Sequence, residues 1–563
     1  MHKKIAPYYD VIVVGSGIGG LTAALLHAKF GRQKVLLLEQ HFKPGGYLQS
    51  FSRGKYTWDV GLHYLGAMAA GTFPRKIMDL LTRGQVTWRA LPDPFEVFHY
   101  PAFTISQPPE LVRYLERLRQ TFPEELGLDA YIRDLRLAMR WGTWQFAAKV
   151  LPRFLAWFPR LIARLFYGRY RERKLVDSLN EHFHSESIKA VLASQCGDYG
   201  LSPSQASLFV HASIFFHYEA GGYRPEGGAS ELVQAITRHL RHLGVDLFLG
   251  QRVDEILIEN ASVRGVRCTP VHGEETRGPS TVVQAGRIVS AVGVRNTYLQ
   301  MVDRTWIPPQ LRKILQDFPP GSSMIVTYLG LKEDPAALGF DGANHWFYQT
   351  SNLSELGSKL ANPEALGVPA VFVSFDRSKN VRGETIHTAT LVAPACYQAF
   401  RNCGDPGRWQ HRSAAYEQLK TEQGQRLLDL VDGRVPGFRA LVDTLEISTP
   451  LSFEYFSRHP RGEVYGLPGL GMRYTCHALG PRTPIKGLTL AGADSLAHGV
   501  VGAMMGGLAA YSSSLGPWQV IRFFRMLSRL RIPDPGDGSQ TQGGIPASEA
   551  PSLRPARPYP HGS

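Results

Sequence analysis

Cysteine is scarce and scattered: the five residues Cys196, Cys268, Cys396, Cys403 and Cys476 include no CxxC pair. Such spacing offers neither a disulfide framework nor a zinc site, and it points to a reducing compartment. Long apolar runs are missing too. The greasiest stretch, 150–166, is broken by Arg153, Arg160 and Arg164 and by two prolines, so no membrane-spanning helix is expected. Acidic residues are in deficit, 48 against 62 Lys plus Arg, which leaves a net charge of +14. That excess favours a polyanionic partner, either nucleic acid or an anionic membrane surface. The N-terminus, MHKKIAPYYDVIVVG, runs from two lysines straight into a strand-like segment without an apolar signal region. A cytoplasmic protein is therefore expected.

What remains is globular in balance: 563 residues, 44% hydrophobic and 20% charged, enough for a large core. At roughly 150 residues per domain the length suggests about two to four domains.

The chain begins with a βαβ unit. Residues 9–38 read as strand (YDVIVVG), glycine turn (SGIGG), helix (LTAALLHAKFG) and strand (QKVLLLE). Gly15, Gly17 and Gly20 make a GxGxxG in that turn, around Ser16 and Gly19, and Glu39 ends the second strand nineteen residues after Gly20. Glycines let the backbone approach a pyrophosphate at the helix N-terminus, and the acid takes a ribose hydroxyl. An adenine dinucleotide is expected there. Glu39 in place of a basic edge disfavours a 2′-phosphate.

Two further segments favour FAD over NAD. Gln40, Gly45 and Gly46 follow the second strand directly, and Asp59, Gly61 and His63 lie in WDVGLHYLG. Far along the chain, LAGADSLAHGVVGAMMGG supplies a strand, Gly492, Asp494 and a helix led by Gly499 and Val500. Val253, which opens the run VDEILIEN, completes the expected cofactor-binding set. No metal site is expected. A second nicotinamide-binding βαβ is not found, because GLPGLGMRY lacks the preceding strand and the following helix, so an external electron donor or acceptor is expected.

The organisation implied is α/β: a discontinuous, glutathione-reductase-like Rossmann domain for FAD, an inserted helical region and a mixed-sheet substrate domain. Residues 7–70, 221–299 and 456–515 form the three parts of the FAD domain. Residues 71–220 read as mainly helical and 300–455 as the substrate domain. An amphipathic basic helix spans 516–532, and the Pro, Gly and Ser-rich tail 533–563 reads as disordered.

These segments resemble the phytoene-desaturase-related flavoproteins, most closely the branch with retinol saturase and carotenoid isomerase. The likeness rests on VIVVGSGIGGLTAA, LLEQHFKPGGYLQSF, WDVGLHYLG, GDYGLSPSQASLFVHASIFFHYEAGGYRPEGGASEL and RTPIKGLTLAGADSLAHGVVGAMMGG. It implies noncovalent FAD and a long apolar polyene or isoprenoid substrate, acted on by a saturase or a cis/trans isomerase. A carotenoid desaturase is the alternative enzyme, although Tyr47 stands where desaturases carry a basic residue after the glycine pair. A prenyl-binding protein without catalysis is the alternative from another class. Candidate proton donors or polarising groups are His63, Tyr64, Tyr218, Arg224 and His498, with His63 first because it stands two residues after the DVG segment.

Residues 140–174 carry nine basic residues, one acid and nine aromatics. Arginine and lysine suit lipid phosphates while Trp and Phe suit the acyl boundary, so this segment and 516–532 are expected to rest on an anionic membrane surface. No nucleic-acid module accompanies them, and nucleic acid is not expected as a partner.

Overall fold

Val11–Val14 and Val35–Leu38 are four-residue apolar strands buried on both faces, the pattern a helix-covered parallel sheet requires. The computed structural model describes residues 4–529 except 153, 274, 362–366, 380–382 and 409–411. The proposed tail 533–563 lies outside the described residues. Around the first two strands forms a five-stranded parallel sheet, in the order Asp246–Phe248, Val35–Leu38, Val11–Val14, Ile288–Ser290 and Leu488–Leu490. Its strands thus come from three stretches of chain far apart in sequence.

Small residues bring two helices against this sheet. Ile18–Lys29 follows the first glycine turn, and Gly499–Ser513 follows the last strand. A Cβ on Gly507 would lie 2.3 Å from the Gly19 carbonyl oxygen, so only glycine permits this approach. A second five-stranded sheet joins Tyr8–Tyr9, Thr281–Ala285, Ser262–His272 and Gln251–Glu259, with Glu275–Thr276 paired to Ser262–His272.

The third layer is a seven-stranded sheet, antiparallel except where Asn344–Tyr348 pairs in parallel with Glu96–His99. Five of its strands fall within 324–448, and two, Glu96–His99 and Thr104–Gln107, come from the region expected to be mainly helical. The strand character of 96–107 is too short to outweigh its helical surroundings in a sequence reading, and long-range pairing decides it. Helices there include Leu128–Val150, Trp157–Tyr167, Leu175–His182 and Leu208–His217. Their core runs from Tyr131 and Trp141 through Tyr199 to Trp346 and Phe372 of the large sheet.

The basic helix near the end spans Pro517–Arg529, and here expectation and structure part. Val520, Phe523 and Leu527 of this segment are buried, whereas Trp518 and Ile521 are exposed. Phe523 and Leu527 join the cluster that holds Leu25 and Leu80, so their apolar area is spent inside the protein. Among the described residues no helix is long and apolar enough to cross a membrane.

Candidate functional site

Where the parallel sheet meets the large sheet, a cavity of about 1830 Å³ opens. Sites for drug-sized ligands usually hold roughly 300–1,000 Å³, so this one has room for two sizeable molecules. Its two ends differ in chemistry.

One end is built of glycine turns. Gly17 caps the helix Ile18–Lys29 without any side-chain hydrogen bond, which leaves the first-turn N–H groups free for an anion. A Cβ on Gly17 would meet nothing within 4 Å: the space in front of it belongs to the cavity. Gly15 turns at φ +92°, and a Cβ on Gly20 would sit 1.9 Å from the Gly15 oxygen, so Gly20 serves the turn's packing. Gly45 donates its N–H to the Ser16 carbonyl at 3.1 Å, stacking the second glycine turn, with Gly46, on the first. Glu39 lines the same end, and its Oε2 accepts from the Ser16 N–H at 2.8 Å and from Ser16 Oγ at 2.7 Å. Gln40, Gly61 and Val253 also face the cavity.

The helix Gly499–Ser513 points its N-terminus into the cavity's middle. His498 caps it without a side-chain bond, and Gly492, Gly499 and Val500 line the wall. Asp494 stands behind: it accepts the Leu467 N–H at 2.8 Å and the Val294 N–H at 2.9 Å and ties three loops together. Asp59 likewise stands off the cavity, accepting Ser50 Oγ at 2.6 Å and the Ala229 N–H at 2.8 Å. Burial pushes its carboxyl up to about 6. Two uncapped helix N-termini, a side-chain-free cradle and the buried Glu39 carboxylate on one cavity are what a flavin dinucleotide needs, and these residues fit it.

The other end is aromatic. Tyr64 and Tyr218 stack at 4.6 Å between ring centroids, and Trp346, Tyr348 and Phe372 extend the wall. His63 lies there too; burial, then the charge of Arg224, hold its imidazole down to about 4. His498 is likewise driven well below its ordinary value, by burial and then by Arg473. Both rings are therefore neutral at pH 7, which makes them poor proton donors. Arg224 does not reach the cavity. Its Nη2 donates to Asn344 Oδ1 at 3.0 Å, and it also donates to the carbonyls of His63 and Phe375 and to Ser374 Oγ, which fixes the His63 backbone.

Sequence reasoning missed three groups. Asp198 lines the aromatic end; Glu96 lies behind it; Arg473 is fully buried beside His498. Glu96 had a signal, since it shares the buried face of its strand with Phe98. Asp198 ends the short 3-10 helix Ser194–Asp198, and its signal was its place in the segment GDYGLSPSQ that carries the family likeness.

A family model described as flavin containing amine oxidoreductase matches residues 18–510. The chain belongs to this flavoprotein family. Among relatives, it is 31% identical over 559 residues to the all-trans-retinol 13,14-reductase of Danio rerio, covering 94% of this chain and 90% of the relative. With the chloroplastic prolycopene isomerase of Daucus carota it shares 23% identity over 490 residues, 83% of this chain and 74% of the isomerase. Among solved structures, the cyclohexylamine oxidase of Brevibacterium oxydans IH-35A superposes with a TM-score of 0.58 at 15% identity, covering 92% of this chain and 99% of the oxidase. The flavin family and its α/β fold agree with the glycine cradle described above.

Proposed function

We propose that this flavoprotein uses FAD to act on C=C bonds of a long apolar polyene, a retinoid or carotenoid-like isoprenoid, as a saturase or a cis/trans isomerase. The observation that carries the reading is the aromatic end of the cavity, whose walls of Tyr64, Tyr218, Trp346, Tyr348 and Phe372 suit a flat conjugated chain. Likeness to a retinol reductase and to a prolycopene isomerase supports the same class of bond.

In this reading Gly15, Gly17, Gly45 and Gly46 receive the pyrophosphate, Glu39 the ribose, and Gln40, Gly61 and Val253 the edges of the adenosine half. Gly492, Gly499 and Val500 present the second helix N-terminus to the ring system. Ser16, Gly19, Gly20, Asp59 and Asp494 hold these turns in shape. The bound flavin supplies or takes up a hydride. His63 and Tyr218 orient the polyene, Arg224 and His498 fix the backbone around it, and an external donor or acceptor exchanges electrons with the site.

Substrate of this kind resides in lipid, and one helix suits a lipid surface. Trp157–Tyr167 leaves Trp157 60%, Leu165 66% and Phe166 71% exposed, with Arg160 and Arg164 among them. The neighbouring helix Leu128–Val150 sets Trp144 edge-on against Phe158 and lends Met139 and Phe146 to the cavity wall. A route from an anionic membrane surface to the aromatic end is thereby supported.

The test is anaerobic incubation of FAD-loaded protein in liposomes with all-trans-retinol or a poly-cis carotenoid, with the flavin prereduced or oxidised, followed by product mass. A gain of two hydrogens with reduced flavin is expected of a saturase, and an unchanged mass with altered geometry is expected of an isomerase. Loss of hydrogens with oxidised flavin would assign a desaturase, and no product under any condition would reject the polyene reading.

A further inference from the structure

Behind the stacked tyrosines, three side chains from distant parts of the chain meet in a row. Tyr64 Oη lies 2.6 Å from Glu96 Oε1 and 3.0 Å from Asp198 Oδ2. Two oxygen-to-oxygen contacts of this length need two hydrogens, and the phenol owns one. With both carboxyls ionised, one contact would set lone pair against lone pair inside a buried pocket. A second proton therefore belongs to the row.

Its owner follows from the neighbours. Glu96 is fully buried, and besides Tyr64 it accepts Trp346 Nε1 at 3.0 Å on Oε1 and Gln195 Nε2 at 3.0 Å on Oε2. Three donors favour the carboxylate form. Asp198 has Tyr64 as its one hydrogen-bond partner in the row and faces the cavity. The titratable groups around Asp198 are Glu96, Tyr64, Tyr218, Tyr348, Tyr465, Tyr199 and Cys196, and none of them is a cation. The row thus reads Asp198 O–H to Tyr64, and Tyr64 O–H to the Glu96 carboxylate. Burial pushes both carboxyls up, and the charge of Glu96 pushes Asp198 further.

We propose that Asp198 is the catalytic proton donor of this site, a neutral carboxylic acid on the cavity wall, with Tyr64 and Glu96 as its positioning residues. The inference rests on the polyene function proposed above. Saturation adds a hydride, drawn from reduced flavin, to one carbon and a proton to the other. At Asp198 the O–H bond breaks as the C–H bond forms, which leaves an aspartate that regains its proton from solvent. An external two-electron reductant, dithionite in the assay, restores the flavin. The place suits the role: Tyr465 donates to the Gly197 carbonyl at 2.9 Å, and its ring lies 6.2 Å from that of His498 at the helix mouth.

The test compares FAD-loaded wild type with Asp198→Asn and Asp198→Glu by infrared difference spectroscopy at neutral pH, without substrate. Asp198→Asn should remove a protonated-carboxyl band, and Asp198→Glu should restore one at a shifted frequency. Removal of carboxylate bands instead would overturn the proposal. In single turnovers with prereduced flavin, Asp198→Asn should slow polyene saturation by about 10²–10⁴-fold with flavin content unchanged. Glu96→Gln takes away the neighbouring charge and should move the alkaline limb of the rate profile to lower pH. An unmoved limb would remove Glu96 from the row. If wild type saturates the polyene and Asp198→Asn does so equally, the donor is another group and the function stands. If wild type turns over no polyene, the function falls and the donor role with it.

Discussion

Ser16 gives two hydrogen bonds to a single carboxylate oxygen of Glu39, one from its backbone N–H and one from its hydroxyl. The other oxygen accepts the His41 N–H at 2.9 Å. A carboxylate so held cannot swing away from the cavity, and its orientation depends on a hydroxyl that never faces the ligand space.

Ser16→Ala removes one of these bonds, together with the bond that Ser16 Oγ accepts from the Gly45 N–H at 3.2 Å. A hydrogen bond to a charged group contributes about 1.5–3 kcal/mol, so FAD affinity should weaken by about tenfold or more. Titration of apoprotein with FAD, followed by quenching of flavin fluorescence, checks this. Unchanged affinity would show that Glu39 orients itself.

Gly17 and Gly507 should part in behaviour. Gly17 has φ −60° and open space before it, so Gly17→Val should purify colourless and melt at the temperature of the FAD-free wild type. Gly507→Val meets the Gly19 carbonyl and Thr22, so it should lose stability. Thermal melts beside the absorbance near the flavin bands separate a filled cradle from a spoiled helix contact.

His63→Ala should retain FAD. Its turnover should fall through loss of positioning and leave no missing ionisation between pH 6 and 8, because the imidazole is held down to about 4. A rate profile that loses a limb near pH 6.5 on this substitution would return His63 to the list of acids.

Acid should unfold the protein through its buried histidines. His27, His63, His217 and His239 are held down to about 4, and His211 and His345 to about 3, chiefly by burial. Between these values and 6.5 the unfolded chain binds protons that the folded one refuses, so their stabilisation is present above pH 6.5 and is lost as pH falls towards 4 and 3. Asp59 and Glu463, pushed up to about 6 and about 7, act in the opposite sense over the same range. His41, His99 and His477, also held down to about 4, add to the first set, and Glu96 and Asp198, pushed up by burial, add to the second. With the histidines more numerous, the melting temperature should fall from pH 7 to pH 4; a rise would show the acids dominating.

Replacing Trp157, Leu165 and Phe166 together by Ser should abolish cosedimentation with anionic vesicles while sparing FAD content and fold. High salt should weaken binding of the unaltered protein, because arginine attraction to lipid phosphates is screened. Undiminished sedimentation would move the contact elsewhere.

The flavin cradle was legible because its chemistry is local. Gly15, Gly17, Gly20 and Glu39 lie within one βαβ unit, where spacing alone fixes their relation. Of the aromatic end only His63, Tyr64 and Tyr218 were named, because Glu96, Asp198 and Trp346 belong to separate segments that only tertiary packing unites with them. Glu96 reaches its place through a strand that joins the large sheet by pairing with Asn344–Tyr348. The C-terminal helix is divided: an amphipathic stripe states that an apolar face is covered, and Phe523 and Leu527 are covered by the protein itself, while Trp518 and Ile521 stay exposed.

The parallel sheet also sets a timetable for biosynthesis. Ile288–Ser290 lies between Val11–Val14, made well before it, and Leu488–Leu490, made well after it. A nascent chain therefore carries its glycine turn out of the ribosome long before the strand and helix that complete the sheet's far edge exist. Until then the faces of Gly19 and Leu25 awaiting Gly499–Ser513 stay uncovered, which makes late-arriving sequence, rather than the early motif, the step that commits this protein to its native state.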